Sequence, residues 1–418
     1  MLVCVACGRL QLDWAEVSGA ANVVALTENH QPWAPDLPTP YLLAVVALVD
    51  APEVRLTTRL IGIELTDEVS SISIGDGVTV VFEQVDDVWL PLFAPATNVA
   101  PVAVELPLPT RFHRSPAFGE RFEQDVALTG IGMSEIGRRL GRPAVSLAVE
   151  AAREAIADAG LEPSDIDGMA TYPGPGIPGF SEGGVTAMID ALGISPTWHA
   201  GGVETSGQTG SVVNAMLAVS AGLCRHVLCF RTVTEGSLRH QRRGRSQPPT
   251  RLADDMMAYR IPFGAMSAAN WIALAASQYQ HRYGLDRETL GWIALNARAN
   301  AALNPFAIYR EPLTMDDYLS ARMVTTPLGL YDCDVPCDGS IAVVVSHRDA
   351  AVDLRRILVG VAAVGTGVSE RQSWDQGTLT HEPNVFGPAT HLWSRTDLRH
   401  GDVDVAELYD GFTFNCLT

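Results

Sequence analysis

Apolar positions follow two different rhythms along the chain. Between Trp14 and Phe93 they come in short runs rich in Val, Leu, Ile and Thr: Tyr41 to Val49, Val54 to Leu65 and Val78 to Glu83. Gly, Pro or Asp separates the runs, and Gly75-Asp76-Gly77 stands directly before Val78. Short β-branched runs bounded by turn residues predict strands. Several of them without a long helix predict a small barrel. Ala94 to Ser115, with Pro95, Pro101, Pro107 and Pro109, reads as a semi-extended linker.

After the linker the period changes. Val126 to Gly132 predicts a buried strand, Ala144 to Ala159 a helix, and Asp165 to Ala170 the next strand. Pro143 suits the first turn of that helix and Gly160 its end. A helix over Ser211 to Ala221 and a strand over His226 to Arg231 follow. Helices are then predicted over Met266 to Tyr283 and Arg287 to Ala302, the latter with Asp286 as N-cap, and a strand over Arg355 to Gly367. Strand–helix–strand alternation predicts an α/β domain with parallel strands.

An internal repeat refines this picture. At a fixed offset, Ala152, Leu161, Asp165, Ile166 and Asp167 match Ala389, Leu398, Asp402, Val403 and Asp404. Each copy reads as helix, turn and strand after a hydrophobic strand, which predicts two similar half-domains. The second copy stops soon after it begins, so the expectation is a chain cut short at its C-terminus.

Composition narrows the function classes. A chain of 418 residues, 47% hydrophobic and 18% charged, has room for two or three domains. The longest apolar run, Leu42 to Val49, is too short to span a bilayer. Met1 to Cys7 lacks the pattern of a signal peptide, which predicts a cytoplasmic protein. A net charge of -19 argues against nucleic acid and anionic lipid as partners. The seven cysteines, Cys4, Cys7, Cys224, Cys229, Cys333, Cys337 and Cys416, are read as reduced.

Candidate chemistry is concentrated in a few places. Cys4-Val5-Ala6-Cys7-Gly8 is either half of a tetrahedral zinc site or a pair of free thiols. Gly201 to Ser211 is a turn of small residues before a helix, suited to presenting backbone N–H groups to a ligand. Its centre, Gly207, has no side chain to attack with. Cys224 and Cys229 read as buried small hydrophobes. The run Tyr331 to Asp338 holds Cys333 and Cys337 among acids but no histidine, so no metal is expected there.

Two stretches carry a family resemblance. The CVACG knuckle, Leu12 to Gly19, Arg55 to Ile61, Ile74 to Val78 and Trp89 to Phe93 resemble the zinc-ribbon plus OB-fold domains that accompany acyl-CoA thiolase-like enzymes. Members usually carry two CxxC pairs; here there is one, which leaves zinc doubtful and suggests a shortened start. Asn304-Pro305, Pro312 to Tyr318, Pro327-Leu328, Asp332 to Gly339, Asp338 to Val345 and Glu407 to Thr413 resemble the thiolase superfamily. Within it, the resemblance is to sterol-carrier-protein-type thiolases and lipid-transfer-protein aldolases of steroid degradation, over roughly Val126 to Thr418.

The resemblance implies a layered αβαβα thiolase-like fold preceded by an OB-fold barrel. The implied domains are a barrel over 1–93, a linker over 94–123, a first thiolase-like half over 124–350 and the start of a second over 351–418. Thiolases of this type carry a cysteine nucleophile followed by Ser-Thr-Gly-Ser, where this chain has Gly207-Gln208-Thr209-Gly210-Ser211. Covalent acyl-enzyme chemistry is therefore lost at this spot, and backbone N–H groups of Gly207, Gln208, Thr209 and Gly210 are left to form an oxyanion hole. Tyr409, followed by Asp410, replaces the histidine of the thiolases, as in the aldolase relatives, where tyrosine acts as acid or base. The alternative is a packed tyrosine at a strand end.

The implied reaction is retro-aldol cleavage of a β-hydroxyacyl-CoA carrying a steroid or lipid side chain. Two other readings stand beside it: a non-catalytic acyl-CoA or lipid-binding subunit of a larger complex, and an acyltransferase. Arg239, Arg242, Arg243 and Arg245 form the densest basic run, either a loop meeting CoA phosphates or a solvated loop. A homodimer and an acyl-CoA hydratase-type companion are implied as partners, and a second tyrosine is expected beyond Thr418.

Overall fold

The structure is a computed structural model that describes residues 13–34, 36–65, 71–104, 121–203, 207–242, 253, 255–352, 354, 358–367 and 388–418. The first strands are β1 (Ala20–Asn29), β2 (Tyr41–Leu48), β3 (Arg55–Leu60), β4 (Gly77–Val85) and β5 (Val88–Pro95). Then come β6 (Val126–Met133), α1 (Ala144–Ala159), β7 (Gly168–Thr171), α2 (Gly184–Leu192), β8 (Trp198–Gly201), α3 (Gly207–Ser220), β9 (His226–Thr234) and α4 (Glu235–Arg242). Next are α5 (Ala268–Tyr283), α6 (Arg287–Leu303), α7 (Met315–Ser320), β10 (Met323–Thr325), β11 (Leu328–Gly329) and β12 (Asp338–His347). The last elements are β13 (Val359–Gly360), α8 (Pro388–Ser394) and α9 (Thr413–Leu417). Contacts divide the chain into two compact units.

The first unit takes Met1–Pro107 together with Pro248–Thr289 and Ser320–Asp332. Its β1 to β5 pair in the order β1-β2-β3-β5-β4, and β4 returns to β1 at Ala20↔Thr79, closing a five-stranded barrel. Ala21, Val23, Leu42, Ala44, Val46, Leu60, Val78 and Phe93 fill its core. Strand β2 is buried on both faces, because Tyr41 and Leu43 pack outward against Ala265, Met266 and Trp271. That double burial explains why YLLAVVAL reads as a continuous apolar run instead of an alternating one. The predicted strand over Val54 to Leu65 is shorter than expected, ending at Leu60 just before Ile61-Gly62.

Two late strands join the same sheet. β10 pairs with β1 at Asn29↔Thr325, and β11 with β10. Buried polar groups fix the junction: the hydroxyls of Thr27 and Thr325 lie 2.7 Å apart, and Asn270 Nδ2 donates to Asn29 Oδ1 at 3.1 Å. Satisfied polar groups of this kind specify one register where apolar contacts alone would tolerate several.

The second unit is built on a six-stranded sheet in the order β13-β6-β12-β9-β7-β8. β7, β8 and β9 are parallel, as alternation predicts, but β12 runs antiparallel to both β9 and β6. The sheet is mixed because a long excursion, not one crossover helix, separates β9 from β12. Helix α1 falls on the predicted residues, with Pro143 at its N-cap and Gly160 at φ 76 as its left-handed C-cap. Ala148, Ala151, Ala152, Ala155 and Ala159 form its buried face. A Cβ on Gly130 or Gly132 of β6 would strike the α1 backbone, so small residues on both sides permit this close approach.

The α1 helix also meets β6 through its acids. The amides of Ile131, Met133 and Glu135 donate to Asp158, Glu154 and Glu150 at 3.1, 2.8 and 2.9 Å. Two strand residues advance about 6.7 Å and four helix residues about 6 Å, so the two rows stay in step. On the other face, α3 covers a second core of Ala170, Ala215, Met216, Val219, Val227 and Val345.

The repeat is realised only in part. α8 is present, but Val403 to Asp410 forms no strand, and Val403 and Val405 are exposed. The predicted strand over Arg355 to Gly367 is reduced, among the described residues, to Val359–Gly360 beside Ala127 and Leu128. No helix among the described residues is long and apolar enough to cross a membrane.

Candidate active site

Parallel β7, β8 and β9 finish at one edge of the second unit's sheet, the edge at which open α/β sheets bind ligands. Thr171 of β7 lies beside Gly201 of β8 and Phe230 of β9. Tyr172 follows β7, the start of α3 follows β8, and α4 follows β9.

Helix α3 opens at Gly207, four residues earlier than the sequence predicts. Gly207 has φ +64, a conformation natural to glycine, and a Cβ added there would meet no atom within 4 Å. The site of the expected nucleophile is thus a bare backbone turn beside open space. Gln208 and Thr209 are exposed, and Gly210 is half-buried. Glu204 to Ser206 lie outside the described residues.

Arg231 ends the apolar run Val227 to Phe230 of β9. Its Nη1 donates to the carbonyl of Tyr172 at 2.8 Å and to that of Phe180, and its guanidinium lies 5.2 Å from the Tyr172 ring centre. Arg231 thereby holds the loop that follows β7. Burial lowers its pKa, while Tyr172, Glu182 and Tyr409 pull in the opposite direction. Glu182 is almost fully enclosed; burial pushes its carboxyl up, and its Oε2 has no hydrogen-bond partner among the described residues.

Tyr409 faces the same edge. An antiparallel bridge between Cys333 and Phe412 ties its loop to the run before β12. A Cβ on Gly411 would fall on the Tyr409 phenol, so the glycine two residues on makes room for the ring. Tyr409 is open on one side, yet desolvation on its other sides pushes the phenol above its ordinary value of 10.0. Asp334 and Asp410 push the same way and Arg231 opposes them. Asp334 is likewise exposed on one side; desolvation, then the charge of Glu235, push it up to about 6 against the pull of Arg239.

Several predicted groups stand elsewhere. Arg239 forms an ion pair with Glu235 one turn back along α4. Cys4, Cys7, Arg243 and Arg245 lie outside the described residues, as does the side chain of Arg242. Cys224 and Cys229 are buried in the core under α3, and burial pushes the Cys224 thiol up to about 12, so neither presents a thiolate. No cluster of three His, Cys, Asp or Glu suited to a metal exists among the described residues. Arg231, Asp334 and Glu182 were not singled out from sequence. A lone arginine in HVLCFRTV and the acid between Cys333 and Val335 were the available signals.

Comparisons with known proteins agree with this architecture. The family model described as "ChsH2, C-terminal OB-fold domain" matches residues 14–83. A "steroid side-chain-cleaving aldolase" of Thermomonospora curvata is 34% identical over 294 residues, 69% of this chain and 74% of that protein. A "17-hydroxy-3-oxo-4-pregnene-20-carboxyl-CoA lyase" of Mycobacterium tuberculosis is 31% identical over 304 residues, 69% of this chain and 75% of that protein. The solved structure titled "Ltp2-ChsH2(DUF35) aldolase" superposes with a TM-score of 0.61 at 31% identity, covering 70% of this chain and 75% of that one.

Proposed function

The chain belongs to the thiolase-superfamily lipid-transfer aldolases, which are carbon–carbon lyases, and from that premise we propose that it cleaves a β-hydroxyacyl-CoA thioester by a retro-aldol reaction. One observation carries the reading. The helix-opening turn that would hold a nucleophile is Gly207 beside open space, while a phenol, Tyr409, stands at the same sheet edge. Acyl transfer through a covalent intermediate needs what this turn lacks; retro-aldol cleavage does not.

In the proposed step the β-hydroxyl loses its proton and its oxygen forms a ketone as the Cα–Cβ bond breaks. The bonding pair moves into the thioester as an enolate, which is then protonated at Cα. Backbone N–H groups at Gly207 to Gly210 face the enolate oxygen, where fixed donors lower the barrier most. Tyr409 exchanges the proton, with Asp410 beside it. Arg239, Arg242, Arg243 and Arg245 receive the CoA phosphates, and the ketone-forming part is bulky and apolar, as the steroid substrate named for the relative implies. A homodimer and a hydratase-type companion belong to the same proposal.

The test is to incubate the chain with a tertiary β-hydroxyacyl-CoA and follow ketone and shortened acyl-CoA by mass spectrometry. Cleavage is expected, and Tyr409→Phe lowers kcat by at least about 100-fold, the usual scale of a lost proton-transfer group. Equal turnover by wild type and Tyr409→Phe would remove Tyr409 from the chemistry.

A further inference from the structure

The Cys333↔Phe412 bridge is antiparallel, so the residue after Cys333 heads toward the residue before Phe412. Those residues are Asp334 and Gly411, and Gly411 is the position over which the Tyr409 phenol lies. Two loops far apart in sequence therefore bring a carboxylate and a phenol to one place. Charged groups from several elements also act on the pair. Arg231 and Tyr172 face the phenol from β9 and the loop after β7, and Asp410 faces it from its own loop. Glu235 and Arg239 face Asp334 from α4, where they are paired with each other.

We propose that Asp334 is a positioning residue that keeps the Tyr409 phenol in its O–H form, so that Tyr409 enters the reaction as the proton donor and not as the base. The inference rests on the retro-aldol reading and deepens it. A phenol flanked by two carboxylates and one arginine is worse placed to become an anion than one beside the arginine alone. The raised value of Tyr409 agrees with this balance. In the cleavage step Tyr409 gives its proton to Cα of the enolate. The β-hydroxyl proton leaves to water as the Cα–Cβ bond breaks, and the phenolate left on Tyr409 takes a proton back from water, so no proton is gained or lost overall. The charge of Arg231 favours the phenolate that exists between the two events.

The deciding experiment is ultraviolet titration of tyrosinate in the full chain, with the Tyr409→Phe variant subtracted to isolate this one phenol. In Asp334→Asn the midpoint of Tyr409 falls by about one pH unit, the scale set by removing a near like charge. Asp334→Glu, which keeps the charge, holds it close to wild type. Circular dichroism confirms that each variant is folded. The alkaline limb of kcat/KM moves down in pH with the same substitution. A midpoint that stays put or rises in Asp334→Asn overturns the assignment. Absence of any acyl-CoA cleavage by wild type tells against the reaction instead, and because the titration needs no substrate the two failures are read separately.

Discussion

Asp338 accepts a hydrogen bond from the amide of Ser237 at 2.9 Å and another from its hydroxyl, while the same carboxylate accepts from the amide of Leu140 at 2.8 Å. The carboxylate is almost wholly buried, so it joins the first residue of β12 to the start of α4 and to the loop after β6. Through α4 it sets where Glu235 and Arg239 stand, and through β12 it anchors the run that bears Asp334. Asp338→Ala leaves donors of Ser237 and Leu140 buried without an acceptor. A loss of about 1.5–3 kcal/mol is expected, the scale for hydrogen bonds to a charged group. Denaturant unfolding measures it, and an unchanged midpoint would contradict this role.

Glu123 and Arg395 make a two-pronged ion pair within the second unit. Arg395 Nε and Nη2 grip the two Glu123 oxygens at 2.8 and 2.6 Å, and the Val364 amide adds 3.0 Å. The Glu123 side chain is fully enclosed. Burial pushes its carboxyl up, but the hydrogen bonds from Arg395 and from backbone amides, with the arginine's charge, outweigh it and leave it below the ordinary value of 4.5. Removing Arg395 strands a buried carboxylate, so Arg395→Ala is expected to cost about 3–5 kcal/mol.

The sign of the pH dependence follows from the same pair. A depressed carboxyl contributes its stability above its unfolded value and loses it as the pH falls through the lower folded value. Glu123→Gln should therefore be less stable than wild type at neutral pH, with the gap closing below pH 4.5. Thermal melting across that range checks it; a gap that widens in acid would refute the linkage.

Gly207 offers a probe of the turn. Gly207→Cys places a thiol at a helix start with open space before it, where the helix favours the thiolate. The variant should gain one fast-alkylating thiol by mass spectrometry, at a stability cost of about 1–2 kcal/mol for the positive φ. Failure to gain a label would mean that the turn is closed to small reagents.

Local sequence revealed the elements whose causes are local. Pro143 and Gly160 bracket α1, and Gly75 and Gly77 mark the turn into β4. It did not reveal β12 as antiparallel, since its partners lie on the far side of a long excursion. Nor did it reveal the strandless course from Val403 to Asp410, where the repeat suggested a strand but no strand among the described residues pairs with it. The site divides the same way. Gly207 and Tyr409 stand in contiguous motifs, whereas Asp334 and Arg231 gain meaning only when three loops meet at one sheet edge.

The row of acids that α1 sets against β6 has a consequence for the molecule among its own copies. Free strand amides template the addition of another chain, and sheets are commonly protected by hiding or charging such edges. Here the amides of Ile131, Met133 and Glu135 are already engaged, and an incoming strand would meet carboxylates instead of vacant donors. The helix that packs the sheet also occupies these amides beyond the short pairing of β13 with Ala127 and Leu128, so edge pairing is suppressed at these three positions.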